Sequence, residues 1–242
     1  MRFFKFLLVL LVLFTAAAWP QSSAADYYNR ANTDFNKGDF DSAIRWLGEA
    51  IRLQPNFPYA FNDRGLAYQK KGDYDHAVQD FTEAIRLKPD FAIAFNNRGL
   101  AYQKKSDFDS AIRDYTEAIR LKPDFSDAFS NRGFSYSDKH NFDRAIQDYT
   151  EALRLNPADW GAFNNRGLIY YVKNDVDRAI QDYTEAIRLK PDFADAFYVR
   201  GVAYKDKGDN ENAKRDLNQA VRLDPKNADD VQKLLKEMET RK

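Results

Sequence analysis

Residues 95–125 read FNNRGLAYQKKSDFDSAIRDYTEAIRLKPDF, and near copies occupy residues 61–91 and 163–193. Working outward from Pro123, the same residue recurs at Pro55, Pro89, Pro157, Pro191 and Pro225, spaced 34 residues apart along the series. One alanine column (Ala43, Ala77, Ala111, Ala145, Ala179, Ala213) keeps that step, and so does a second (Ala50, Ala84, Ala118, Ala152, Ala186, Ala220). A fixed period of this length signals stacked units rather than one large core. Six units tile residues 24–57, 58–91, 92–125, 126–159, 160–193 and 194–227, and residues 228–242 form a tail.

Each unit reads as two helices. In the second, Ala77, Val78, Phe81, Ala84 and Ile85 share one helical face, with Gln79, Asp80, Thr82 and Glu83 between them. An N-cap residue opens it, Asp39, Asp73, Asp107, Asn141, Asp175 or Asp209, because a short polar side chain can accept from free backbone amides there. The unit's proline stops it. In the first helix Phe61, Gly65 and Tyr68 share a face, and Gly72 closes it at a position expected to need positive φ. Ser106, His140 and Asn174 replace that glycine in three units, which predicts less stable turns, least so for Asn. Gly65, Ala77 and Ala84 allow close helix approach, while Phe61, Tyr68 and Phe81 fill the space left. Val231, Leu234, Leu235 and Met238 give the tail an apolar face, so it reads as a capping helix.

The series Phe61-x-x-Arg64-Gly65-x-x-Tyr68, Ala77-x-x-x-Phe81 and Pro89 resembles the tetratricopeptide repeat. The resemblance spans residues 24–227, with Phe where Trp is usual and Arg64, Arg98, Arg132, Arg166 and Arg200 where Leu is usual. The first unit is worn, with Ala31 in the glycine column and Asp34 in the tyrosine column. The resemblance implies an all-α, right-handed superhelical solenoid of helix-turn-helix units. It further implies that the first helix of each unit lines a concave groove. The inward columns would hold Asn62, Asn96 and Asn164 beside Asn97, Asn131 and Asn165. Leu66, Leu100, Phe134 and Leu168 would form an apolar stripe, with Tyr171 one turn further on. An Asn side chain both donates and accepts, so these amides are expected to hold an extended peptide backbone. Leu66, Leu100 and Leu168 occupy positions that a terminal-carboxylate clamp would need, which argues against that version of the groove.

The arginine column has a second regularity. Arg64, Arg98, Arg132, Arg166 and Arg200 are each followed 16 residues later by Asp80, Asp114, Asp148, Asp182 or Asp216. These are expected to be structural ion pairs between the two helices of a unit, setting register. Arg30 and Trp46 break the pattern in the first unit.

Formal net charge is zero, with 37 basic and 37 acidic residues and no Lys/Arg block, which argues against nucleic acid as a partner. Cysteine is absent, removing disulfides, thiolate metal sites and cysteine nucleophiles. His76 and His140 lie far apart and read as surface residues, so no metal site is expected. The remaining carboxylates, such as Asp75, Asp109, Asp143 and Asp177, recur with the period and read as helix-start charges. A catalytic pair should instead be singular and differently tuned. No phosphate-binding or nucleophile motif occurs, so neither an enzyme nor a cofactor is expected. Arg2 and Lys5 precede the apolar run Phe6 to Phe14, and Ser22-Ser23-Ala24-Ala25 follows. Residues 1–24 therefore read as a signal peptide cut after Ala24 or Ala25, or else as an uncleaved anchor that gives the chain its one link to a membrane. Without residues 1–24 the chain keeps 35 bases and 37 acids, a net charge of −2. The expectation is an exported, periplasmic or secreted scaffold for a protein or peptide partner. The alternative is a structural protein that homo-oligomerises through its terminal repeats.

Overall fold

A computed structural model describes residues 22–240, and among them lie thirteen α-helices, one short 3-10 turn and no strand. Most of the leader read at residues 1–24 lies outside the described residues. The helices are α1 (Ala24–Asn36), α2 (Phe40–Leu53), α3 (Pro58–Lys70), α4 (Tyr74–Leu87), α5 (Ala92–Lys104), α6 (Phe108–Leu121) and α7 (Ser126–Asp138). They continue with α8 (Phe142–Leu155), α9 (Trp160–Val172), α10 (Val176–Leu189), α11 (Ala194–Asp206), α12 (Asn210–Leu223) and α13 (Ala228–Thr240). Consecutive helices pack as hairpins, and each hairpin packs on the next, which makes an all-α solenoid.

The caps explain the boundaries. Asp39, Asp73, Asp107, Asn141, Asp175 and Asp209 each accept from the backbone amide three residues on, opening the second helix of every hairpin. Most first helices open differently. Phe57, Phe91, Phe125 and Phe193 sit at their N-caps with no side-chain bond. The Tyr59–Phe91 and Trp160–Phe193 edge contacts show two of these rings packing instead. At the first-helix ends, Gly38, Gly72 and Gly208 have φ of 82°, 80° and 83°. Ser106, His140 and Asn174 adopt the same left-handed conformation at 60°, 57° and 62°.

The core is divided into small clusters along the stack. Every alanine of the two periodic columns is fully buried, as are Phe81, Tyr115, Tyr149 and Tyr183 opposite Gly65, Gly99, Gly133 and Gly167. The first hairpin makes the same contact with different parts, Ala31 meeting Leu47. Its Arg30 guanidinium lies 5.7 Å from the rings of both Tyr27 and Trp46, and Trp46 Nε1 donates to Asp34 at 3.0 Å. A cation over aromatic faces thus stands where later hairpins have an ion pair. At the other end α13 lays Val231 and Met238 over Ala213 and Leu217 of α12.

Candidate functional site

First helices of successive hairpins also approach one another directly, α3 with α5, α5 with α7, α7 with α9 and α9 with α11. They therefore occupy the shorter, inner side of the curve, and their outward columns form its wall.

Hydrogen bonds cross between neighbouring hairpins along that wall. Tyr28 Oη donates to Asp63 Oδ2 at 2.5 Å, Asn97 Nδ2 to Asn62 Oδ1 at 3.0 Å, and Asn131 Nδ2 to Asn96 Oδ1 at 3.1 Å. Burial, reinforced by Asp63, pushes the Tyr28 hydroxyl up to about 12. Asn62, Asn96 and Asn97 are buried. The amides expected to face a ligand in the first half of the groove are thus bonded to each other at the repeat interfaces. The physical reason is the 35-residue separation, which places the two columns on opposing faces of adjacent hairpins.

The ladder does not continue into the second half. Ser130 donates to Asp159 at 3.2 Å instead of meeting Asn165. The Asn164 Oδ1 atom is buried without a hydrogen-bond partner, and Val199 stands where the preceding units supply an amide. The Tyr149 and Tyr183 hydroxyls are also buried and unpartnered. Tyr115, by contrast, donates to Gln103 Oε1 at 2.8 Å, and the positions equivalent to Gln103 hold Ser137 and Tyr171. Burial pushes both unpartnered tyrosines up, an effect that the adjacent Asn165 side chain partly offsets at Tyr149.

Past the ladder the wall opens. Leu66 and Leu100 are half-buried, whereas Phe134 is 40% exposed, Leu168 46% and Val172 57%. Tyr171 hydrogen-bonds to Asp206 across the next interface, and burial with that bond pushes it up to about 12.

All five arginine–aspartate pairs are bidentate. The Nε atoms of Arg64, Arg98, Arg132 and Arg166 lie 2.8 Å from Asp80, Asp114, Asp148 and Asp182, and Arg200 Nε lies 2.6 Å from Asp216. Burial pushes the Asp80 and Asp114 carboxyls up, with their arginines opposing it. The same guanidiniums reach backwards. Arg98, Arg132, Arg166 and Arg200 donate through Nη1 to Thr82, Thr116, Thr150 and Thr184 of the preceding hairpin. Arg64 has Gly48 in that place. A second clamp was not anticipated from the sequence. Lys71, Lys105, Lys139, Lys173 and Lys207 pair with Asp41, Asp75, Asp109, Asp143 and Asp177 of the hairpin before. Its signal was a constant offset of 30 residues, four short of the period.

Among the described residues no cluster of three or more His, Cys, Asp or Glu could hold a metal, and no helix is long and apolar enough to cross a membrane. The TPR repeat profile matches residues 31–72 and 167–208, and tetratricopeptide repeat profiles match 58–91, 92–125, 126–159 and 194–227. The crystal structure of MamA is 25% identical over 66% of this chain and 94% of its own, with a TM-score of 0.62. PilF of Pseudomonas aeruginosa is 19% identical over 90% of this chain and 97% of its own, at 0.77. YrrB, a TPR protein with an unusual peptide-binding site, is 22% identical over 74% of this chain and 92% of its own, at 0.62. At those identities PilF and YrrB are likenesses of fold. No curated protein matches the chain significantly.

Proposed function

Because the chain belongs to the tetratricopeptide repeat family, we propose that it is a non-enzymatic scaffold that receives a peptide or protein partner along its inner wall. The observation that carries this reading is the open apolar row Phe134, Leu168 and Val172, 40%, 46% and 57% exposed on α7 and α9. Large apolar side chains left in water on a concave surface favour covering by a partner. The polar rim around them supplies donors and acceptors for a backbone.

A photo-crosslinker placed at Leu168 should capture a partner, whereas one at Arg113, exposed on a second helix, should not. Equal capture at both positions would remove the groove as the site. Mass measured across a dilution series distinguishes assembly of copies, which would raise the mass with concentration. Export is the setting we propose, from Arg2, Lys5, the run Phe6 to Phe14 and the small residues ending at Ala25. Mass spectrometry of the cellular protein should find a chain beginning at Ala25 or Asp26. A cytoplasmic chain retaining Met1 would overturn that setting.

A further inference from the structure

The inner wall changes character along its length, and that change specifies its ligand. One column of first-helix residues runs Lys70, Lys104, Asp138, Val172, Asp206. Lys70 and Lys104 are exposed. Among the described residues neither has a carboxylate within ion-pair distance. Their sequence neighbours Lys71 and Lys105 are both engaged, with Asp41 and Asp75. Two adjacent hairpins thus present one free ammonium each at equivalent places on the same wall.

One hairpin on, the sign reverses at Asp138, which is exposed. Around it Phe134, Leu168 and Val172 stand exposed in the middle and last turns of α7 and α9, whereas in the first half the exposed apolar groups, Tyr59 and Ile93, lie in the opening turns of α3 and α5. Asp206, the last of the column, is taken by the Tyr171 hydroxyl. The two halves also differ beneath the surface. The Asn62–Asn97 and Asn96–Asn131 bonds engage the first-half amides with each other, leaving Lys70 and Lys104 as exposed charges without an ion-pair partner. In the second half the ladder is interrupted, and Phe134 and Leu168 are exposed where Leu66 and Leu100 of the same column are half-buried.

Resting on the groove as the binding site, we propose that its occupant is an extended segment of two-part composition. Acidic side chains lie over Lys70 and Lys104, and bulky apolar side chains cover Phe134, Leu168 and Val172. Asp138 fixes the register between the parts, because a ligand carboxylate placed there would meet a like charge. Hydrophobic cover supplies most of the affinity, and the lysines supply orientation and a salt-dependent association rate.

Panning a random peptide display library on the full chain tests this. The enriched sequences should carry Asp or Glu on one side of a cluster of Leu, Ile, Phe or Val. By fluorescence anisotropy, K70E/K104E should weaken an enriched peptide by about tenfold and flatten its salt dependence. L168S/V172S should weaken it comparably and keep the salt slope. Both variants change exposed groups, so circular dichroism and melting should match the parent. Enriched peptides without acidic residues, or binding indifferent to K70E/K104E, would overturn the two-part site while leaving groove binding intact. Failure to enrich any peptide would remove the groove reading itself, and this inference with it.

Discussion

A Cβ on Gly99 would sit 2.7 Å from Tyr115 Cε1, closer than carbon atoms tolerate. Tyr115 is fully buried and cannot step aside, so G99A should cost about 3 kcal/mol through overpacking, measured by urea unfolding. Gly48 is the opposite case. A Cβ there would lie 3.9 Å from Arg64 Nη1, an ordinary contact, and the later units have a threonine bonded to the arginine. G48T should therefore stabilise by about 1 kcal/mol, from helix propensity and the added bond. The turn residues make a reciprocal pair. Ser106 holds φ 60° and Gly72 holds 80°, and a side chain in the left-handed region costs about 1 kcal/mol. S106G should raise the unfolding free energy by that amount and G72S should lower it. Positive φ at these places was legible in the sequence because four of the six turn residues are Gly or Asn and share one column. That Ser106 and His140 accept the same geometry shows the fold overriding local preference.

At the scale of the helix, the two kinds of carboxylate respond to acid in opposite senses. Hydrogen bonds from Ser42, His76, Ser110, Arg178 and Asn212 hold the N-caps Asp39, Asp73, Asp107, Asp175 and Asp209 below the ordinary value of 3.8. Their contribution is present above that pH and is lost as pH falls through the depressed folded values. Asp80 and Asp114 are raised by burial, so acid does not withdraw stability through them. The melting temperature should fall as pH drops below about 4, and D73N/D107N should flatten that fall, because Asn caps without titrating. A fall of unchanged steepness in the variant would contradict the assignment. The arginine pairs themselves call for a double-mutant cycle. With Arg98 17% and Asp114 8% exposed at the side chain, D114L alone should cost about 3 kcal/mol by leaving the guanidinium unpaired, and R98M/D114L should cost less. The 16-residue spacing made these pairs legible. The lysine clamp was not seen, because Asp75 and Asp109 also suit the first turn of their own helices. That local explanation hid a partner one hairpin away.

For the whole chain, the period read from six prolines fixed the architecture, since repeated units have one efficient way to bury their faces. The groove was harder to read. Residue types pointed to Asn62, Asn96 and Asn97 as ligand groups, yet whether an amide meets a ligand or its neighbour depends on spacing between hairpins, which no single unit encodes. In a linear stack, damage should also stay near its source. Deleting residues 228–242 removes the buried Val231 and Met238, a loss of about 3 kcal/mol. Hydrogen exchange should quicken in α11 and α12 while α3 to α6 keep their protection, and uniform loss would show one cooperative block. The lysine and arginine clamps bear on the chain's capacity to change size. Lys105 reaches back to Asp75 and Asp109 receives Lys139, so unit 92–125 presents upstream the half-bond it completes downstream. Copied in tandem, it would dock on itself with every charge matched, and this gives gene duplication a way to lengthen the inner wall without designing a new joint.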